Sequence, residues 1–141
     1  MFSTHFVVFG KPVPKGRARF RRIGKFVSTY TPKKTATYEQ EVAQVAKTAM
    51  GKQEPLETPV TVCIYIRLPI PASYSKVRKK ACLDGFEKPT KKPDLDNTAK
   101  SILDGMNGIV YVDDAQIVNL HVTKVYSETP AVEVLIVEAL E

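Results

Sequence analysis

The chain has 141 residues, of which 43% are hydrophobic and 26% charged, and its formal net charge is +6. This length suits one domain with one buried core, and the composition excludes a disordered chain. No apolar run approaches the roughly 20 residues that cross a bilayer, and the N-terminus lacks the pattern of a signal peptide. Two isolated cysteines set no metal-binding pattern, so we expect a reduced, cytoplasmic protein.

The first predicted elements are a strand, a loop and a hairpin. Residues 3–9 are rich in aromatic and β-branched side chains, which predicts a strand. Prolines and glycines make residues 10–16 a loop. Residues 18–27 could form a hairpin that turns near Ile23 and Gly24.

A helix and a strand follow. Residues 38–50 place apolar side chains on one helical face, with Thr37 and Gln40 as a capping box and Gly51 as the stop. Alternate apolar residues over 60–68 share one face at period two, which predicts a strand with one buried side.

The second half of the chain predicts two more helices and two more strands. The expected elements are a basic helix capped by Ser73 or Ser75, a helix capped by Asp94 or Asp96, an apolar strand-like run at 109–112, and strands over about 116–126 and 132–137. We therefore expect a single α/β (α+β) domain over residues 1–141. It should contain a mixed sheet of about five strands and two to three helices.

Basic residues are concentrated in two segments. Residues 1–38 contain no acidic side chain, and a second cluster over residues 76–92 is diluted by only two. Such clusters attract a polyanion, and Phe20, Phe26 and Tyr30 could pack on sugars or bases. The alternative is a solvated basic surface. The DNA-binding candidates are Lys11, Lys15, Arg17, Arg19, Arg21, Arg22, Lys76, Lys79 and Lys80.

Five aspartates lie between residues 94 and 114. One pair begins a helix and another follows the apolar run at 109–112, so the two pairs converge at one sheet edge if the helix packs back against that run. Clustered carboxylates repel each other unless a cation intervenes. Hard oxygen ligands suit Mg²⁺ or Mn²⁺.

Each acidic feature also has a purely structural alternative. Aspartate is favoured at a helix N-terminus by free backbone N–H groups and the helix dipole. Asp96, Lys100 and Asp104 are spaced four residues apart and could form a surface ion ladder. Asp113 and Asp114 could begin a turn. These alternatives leave unexplained why all the features occur together in a chain suited to attract phosphate.

The segment 92–108, followed by 112–117, closely resembles the RusA family of Holliday-junction resolvases. The shared pattern is K-x-D-x-D-N, a lysine four residues after the second aspartate, a helical L-D, and then D-D-x-Q. The loop at 10–19 and the segment 68–71 with its following basic helix also fit. The resemblance therefore covers most of the chain.

The resemblance implies a homodimeric endodeoxyribonuclease that cuts four-way DNA junctions symmetrically in recombination and repair, often encoded by phages and prophages. It implies Mg²⁺ as cofactor, with Mn²⁺ able to substitute. The implied catalytic residues are Asp94, Asp96, Lys100 and Asp114, and the implied metal ligands are Asp94, Asp96, Asp114 and Asp113. The spacing between Asp96 and Asp114 looks one residue shorter than usual, so Asp113 and Asp114 could exchange roles. The expected partners are four-way or branched DNA and a second copy of the chain, with no membrane and no small-molecule cofactor.

Two other functions stay open on the sequence alone. One is a non-catalytic protein that binds DNA junctions and keeps the acidic cluster for structural reasons. The other is a metal nuclease that acts on replication forks or flaps.

Overall fold

The computed structural model describes residues 1–16 and 19–140 and shows an α+β fold built on a four-stranded sheet. The helices and strands, in chain order, are β1 (Ser3–Phe9), β2 (Arg19–Ile23), β3 (Phe26–Tyr30), α1 (Lys33–Met50), β4 (Val60–Pro69), α2 (Lys76–Leu83), α3 (Leu95–Met106), β5 (Ile117–Ser127) and β6 (Ala131–Glu138). A short 3₁₀ turn, Asp114–Gln116, precedes β5. No helix in the described part is long and apolar enough to span a membrane.

The sheet is mixed and has the strand order β1-β6-β4-β5. The pairs β1–β6 and β6–β4 are antiparallel, whereas β4–β5 is parallel. Strand β4 buries every second residue, as its period-two pattern predicts. Ile64 pairs with Val134, which in turn pairs with Phe6, so buried rows run across the strands. Each fully buried valine or isoleucine contributes about 1.5–3 kcal/mol.

Helices α1 and α3 pack against each other and share one apolar core with the sheet. Their backbones approach closely at Gly105, where a Cβ atom would lie 2.8 Å from Cβ of Val42 and 3.0 Å from the carbonyl oxygen of Glu39. Helix α3 buries Ile102 in the core and leaves Lys100 exposed. This packing fixes which side of α3 is available for chemistry.

The number of strands in the main sheet and the start of α1 differ from the sequence expectations. The main sheet has four strands instead of about five, because β2 and β3 form a separate two-stranded sheet. Helix α1 begins at Lys33 with Pro32 as its N-cap, so the expected start at residue 38 is wrong. The extra turn is fixed by the buried Thr35, whose hydroxyl accepts from the Gly16 N–H at 3.0 Å and donates to the Pro14 carbonyl at 3.3 Å.

The apolar run at 109–112 is not a strand of the main sheet. The N–H groups of Ile109 and Val110 both donate to the carbonyl of Met106 at 3.0 Å, which continues the end of α3 as a turn. Tyr111 forms isolated bridges with Leu56 and Asn107. The run is apolar because Val110 and Tyr111 are buried under α3 and the loop before β4.

The remaining expected elements are confirmed. Strand β1 covers residues 3–9, the hairpin turns after Ile23, and α1 ends at Gly51. Ser75 caps α2, because its hydroxyl accepts from the Arg78 N–H at 3.2 Å.

Candidate active site

The first turn of α3 presents Asp94 and Asp96. Asp94 is the N-cap residue, but its side chain makes no capping hydrogen bond. One of its oxygens accepts from Nζ of Lys92 at 3.1 Å and from Nδ2 of Asn97 at 3.4 Å. Asp96 accepts from the backbone N–H of Asn97 at 2.9 Å. A purely structural N-cap would accept a hydrogen bond from a backbone N–H of the first helical turn through its side chain, and Asp94 does not.

Lys100 connects α3 to the 3₁₀ turn. Its Nζ lies 3.1 Å from Oδ1 of Asp104 and 3.6 Å from Oδ2 of Asp114. Of the possible ladder of Asp96, Lys100 and Asp104, the described structure contains only the ion pair between Lys100 and Asp104, and Lys100 forms none with Asp96. The Lys100 side chain is 52% exposed. A phosphate could therefore reach its ammonium group.

Asp104 holds a second lysine on its other carboxylate oxygen. Nζ of Lys15 lies 2.9 Å from Oδ2 of Asp104 and 2.6 Å from Oε1 of Glu39 in α1. Glu39, Lys15, Asp104, Lys100 and Asp114 thus form a row of alternating charges, which we call the ion chain. Lys15 is only 26% exposed and lies between two carboxylates of its own chain. Its surroundings favour a structural position over an open DNA contact.

Hydrogen bonds shift the pKa values within the ion chain. Burial opposes the charged form of Asp104, but the hydrogen bonds from Lys15 and Lys100 outweigh it and lower the carboxyl pKa. The hydrogen bond to Asp104 raises the pKa of Lys100 against a smaller effect of burial. Burial would lower the pKa of Lys15, yet the hydrogen bonds to Glu39 and Asp104 raise it overall. All three groups are therefore held in their charged forms.

Asp113 and Asp114 have different surroundings. Oε1 of Gln116 accepts from the Asp113 N–H at 2.9 Å, and the Gln116 N–H donates to the backbone carbonyl of Asp113 at 3.1 Å. Nε2 of Gln116 donates to two backbone carbonyls in the loop before β4, at 2.7 and 2.9 Å. Asp114 is the member of the pair that faces Lys100.

Tyr111 joins this acidic turn to α3. Its ring is fully buried, and its hydroxyl donates to the carbonyl of Leu103 at 2.7 Å. Burial raises the pKa of this hydroxyl, so the phenol stays protonated and keeps donating. The distance between α3 and Asp114 is consequently set by a buried side chain.

The four aspartates implied as metal ligands offer the oxygen donors that Mg²⁺ prefers. Asp96 and Asp113 are exposed, whereas Asp94 and Asp114 are half-buried, so a hydrated cation could reach all four. Within residues 1–16 and 19–140, no three His, Cys, Asp or Glu side chains stand close enough to enclose a metal ion. The donor chemistry fits a divalent cation, and convergence of both acid pairs on one ion stays a prediction.

The basic candidates lie in several places. Lys11, Arg21 and Arg22 are exposed, as are Lys76 and Lys80 in α2, while Lys79 is half-buried. Lys80 also pairs with Asp84 at 3.3 Å. Arg17 and the side chain of Arg19 lie outside the described part of the chain. The two basic segments therefore supply exposed cations on the hairpin and on α2.

Three residues of this site were not assigned from the sequence. Asp104 was noted only as part of a possible ladder, and Gln116 only as a letter of the D-D-x-Q pattern. Glu39 carried no signal, because its pairing with Lys15 joins two segments that are distant in the chain. The four-residue spacing of Lys100 and Asp104 was the one sequence signal for the ion chain.

Comparisons with known proteins identify the family of this chain. The model of the family described as Endodeoxyribonuclease RusA matches residues 10–137. The uncharacterized protein YqaN of Bacillus subtilis (strain 168) is 42% identical to this chain over 142 residues. The match covers 98% of this chain and 98% of the relative. Both matches include α3, the 3₁₀ turn and the ion chain, so the chain belongs to the RusA endodeoxyribonuclease family.

Proposed function

We propose that this protein is a Mg²⁺-dependent endodeoxyribonuclease that resolves four-way DNA junctions by paired, symmetric hydrolysis of phosphodiester bonds. The observation that carries the proposal is Lys100, an exposed ammonium held between Asp104 and Asp114 one helical turn after Asp96. An exposed cation beside several carboxylates suits cleavage of a phosphate ester, because the cation can stabilise charge on the phosphate and the carboxylates can hold a divalent metal.

The proposal gives each acidic residue a role. Asp94, Asp96 and Asp114 would hold the divalent cation, with Mn²⁺ able to replace Mg²⁺. A bound cation would lower the pKa of a water molecule and offset negative charge on the phosphate. Asp113 is the weaker candidate ligand, because Asp114 is the member of the pair whose carboxylate faces Lys100.

Lys100 would stabilise the negative charge that develops on the phosphate during cleavage. Its two carboxylate partners restrict the position of the ammonium before substrate arrives, which reduces the reorganisation needed in the transition state. Asp104 would act as a positioning residue through Lys100. Lys15 would act one step further away by holding Asp104.

The DNA partner follows from charge. Exposed cations on the β2–β3 hairpin and on α2 would bind phosphates on either side of the cleavage site. We place Lys11, Arg21, Arg22, Lys76, Lys79 and Lys80 in this interface, with Arg17 and Arg19 as further candidates from the sequence.

Cys63 and Cys82 are free thiols, which supports the proposed cytoplasmic location.

We further propose that the active form is a homodimer. A four-way junction has two-fold symmetry, and its resolution requires two cuts related by that axis. Because each chain has one proposed active site, two chains are needed to make both cuts. Strand β5 forms one edge of the sheet and exposes Val118 and Leu120. This edge could be buried in the dimer.

Two alternatives differ from this proposal in measurable ways. A nuclease specific for forks or flaps would use the same carboxylates but would cut once and would not need paired sites. A non-catalytic junction-binding protein would bind branched DNA without cutting it under any metal condition.

Substitution of the carboxylates tests the catalytic assignment. We expect Asp94→Asn, Asp96→Asn and Asp114→Asn to abolish cleavage of a synthetic four-way junction in Mg²⁺ while DNA binding is kept or strengthened, because negative charge facing phosphate is removed. Glu54→Gln is the matched control, since Glu54 is an exposed carboxylate in the loop between α1 and β4, outside both basic segments. Loss of binding in parallel with cleavage, in folded variants, would contradict the assignment.

A further inference from the structure

The β2–β3 hairpin exposes apolar side chains on both faces. Phe20 is 75% and Phe26 78% exposed, and every described side chain from Phe20 to Ile23 and from Phe26 to Tyr30 is exposed. Isolated two-stranded hairpins have marginal stability in water, and contiguous exposed apolar patches usually mark a binding surface. We therefore expect the exposed apolar side chains of the hairpin to contact a binding partner.

The strand register separates the side chains into two faces. Ile23 pairs directly with Phe26 beside the turn, on the same face as Arg21 and Tyr30. The Arg21 guanidinium lies 4.9 Å from the centre of the Tyr30 ring, which restrains the side chain by a cation–π contact. This face thus ends in an apolar pair at the tip, with an ordered cation behind it.

The charge of the hairpin selects the type of partner. Residues 19–30 contain three arginines and one lysine and no acidic residue. Two such hairpins would repel each other, which disfavours a second copy at the tip. A nucleic acid offers both required elements, because phosphates can bind the cations and bases can contact the apolar side chains.

The base of the hairpin is fixed beside α3. The loop before β2 is bound to the helix, because the Lys15 N–H donates to the Asn97 carbonyl at 2.7 Å and the Ser101 hydroxyl donates to the Val13 carbonyl at 2.7 Å. Gly16 packs so closely on Pro32, which follows β3, that a Cβ atom would lie 2.9 Å from Cγ of Pro32. The hairpin is consequently attached next to the turn that carries Asp94 and Asp96.

We propose that the Ile23–Phe26 pair is a wedge that contacts unstacked bases at the branch point of a DNA junction and thereby makes the enzyme selective for branched DNA. This inference rests on the proposed function and adds the element that recognises the substrate. In an intact duplex each base is covered by its neighbours, so the apolar tip finds no partner there. At a branch point the stack is interrupted, and Phe26 can stack on an exposed base while Arg21, on the same face, and Lys25, in the turn, bind nearby phosphates.

Binding measured without cleavage tests the wedge. We compare the affinity of wild type and Phe26→Ala for a synthetic four-way junction and for a linear duplex of the same sequence, in buffer with excess EDTA. We expect Phe26→Ala to weaken junction binding about tenfold or more and duplex binding by no more than about twofold. Phe26→Tyr should restore junction binding, whereas Phe26→Leu should not, because only an aromatic ring stacks on a base.

Controls separate the wedge from other effects. Phe9→Ala removes an equally accessible ring, 69% exposed, at the end of β1, and should leave both affinities unchanged. A junction containing 2-aminopurine at the branch point should lose its fluorescence change with Phe26→Ala. Equal losses on both DNA substrates, no loss on either, or a change in the sedimentation coefficient of the free variant would overturn the inference. The last result would indicate a second copy as the partner.

The outcomes distinguish this inference from the proposed function. If wild type binds junctions with selectivity that depends on Phe26 but cuts no DNA in Mg²⁺, the wedge stands and the nuclease assignment fails. If wild type resolves junctions and Phe26→Ala binds them equally well, the nuclease assignment stands and the wedge fails.

Discussion

The Asp104 carboxylate bridges two lysines, with one oxygen 2.9 Å from Nζ of Lys15 and the other 3.1 Å from Nζ of Lys100. The bridge matters because Lys15 comes from the N-terminal loop and Lys100 from α3. Asp104 therefore links the loop that leads to the hairpin with the lysine that we place beside the scissile phosphate.

A double-mutant cycle tests whether Asp104 acts through Lys100. We expect Lys100→Ala to lower the cleavage rate by about 100- to 1,000-fold with little change in DNA affinity, as for loss of one charge partner of the transition state. Asp104→Asn should lower the rate by about tenfold, because Lys100 loses one of its two restraints. The double variant should cut no more slowly than Lys100→Ala alone. Additive losses would give Asp104 an independent role, and a loss under tenfold for Lys100→Ala would favour a surface ion ladder.

The lowered pKa of Asp104 predicts a pH dependence of stability. A carboxyl whose pKa is lower in the folded than in the unfolded protein stabilises the fold above its unfolded pKa, and this contribution is lost as the pH falls through the folded pKa. For Asp104 the loss begins near 3.8, the ordinary pKa of an aspartate side chain, and continues below it. Between about pH 5 and about pH 2, the free energy of unfolding should fall more steeply for wild type than for Asp104→Asn. Parallel curves from urea titrations would contradict the assigned ion pairs.

The contact between α1 and α3 predicts that Gly105 resists substitution. Alanine is a better helix former than glycine by about 1 kcal/mol, so an unobstructed helical site would gain stability from the change. At Gly105 the added Cβ would meet Val42 and the Glu39 backbone, and we expect Gly105→Ala to destabilise the protein by about 1–3 kcal/mol. Thermal unfolding measures the effect. A raised melting temperature would show that the helices are further apart than described.

The basic surfaces predict a steep salt dependence of DNA binding. The logarithm of the binding constant should fall linearly with the logarithm of salt concentration, and each lost phosphate contact should reduce the slope by about one. We therefore expect Lys76→Gln combined with Lys80→Gln to reduce the slope by about two. Lys52→Gln, in the loop after α1 and outside both basic segments, should leave it unchanged. An unchanged slope in the α2 variant would remove α2 from the interface.

The elements that the sequence predicted correctly are those fixed by local patterns. The period-two run of β4, the stop at Gly51 and the Ser75 cap each depend on neighbouring residues, and all three are observed. The start of α1 was misjudged because Thr35 is held by a loop on the other side of the hairpin.

The candidate site shows the same division between local and long-range interactions. The pairing of Lys100 with Asp104 follows from helical spacing. The family pattern assigns the four aspartates as metal ligands, and that assignment stays a prediction. The position of Lys15 between Glu39 and Asp104 could not be read from the sequence, because three separate segments form it. The sequence shows only that Lys15 is a basic residue in a basic segment, and this predicted a contact with DNA. In the structure Lys15 instead lies between two carboxylates of the same chain.

The different surroundings of Asp113 and Asp114 also needed the structure. In the sequence the two residues are adjacent and chemically identical. Gln116 is hydrogen-bonded to the backbone of Asp113, whereas Lys100 faces the side chain of Asp114.

The most direct test of the proposed function is an assay of the purified protein on a four-way junction, with a fork and a linear duplex as comparisons, each in Mg²⁺ and in excess EDTA. Both strands that carry the cut sites are labelled, so that paired nicks can be told from single ones. We predict paired symmetric nicks on the junction in Mg²⁺, little cutting of the other substrates, and no cutting in EDTA, by a protein that sediments as a dimer. Cleavage in EDTA at the Mg²⁺ rate, or a monomer that only nicks forks or duplexes, would contradict the assignment as a metal-dependent junction resolvase.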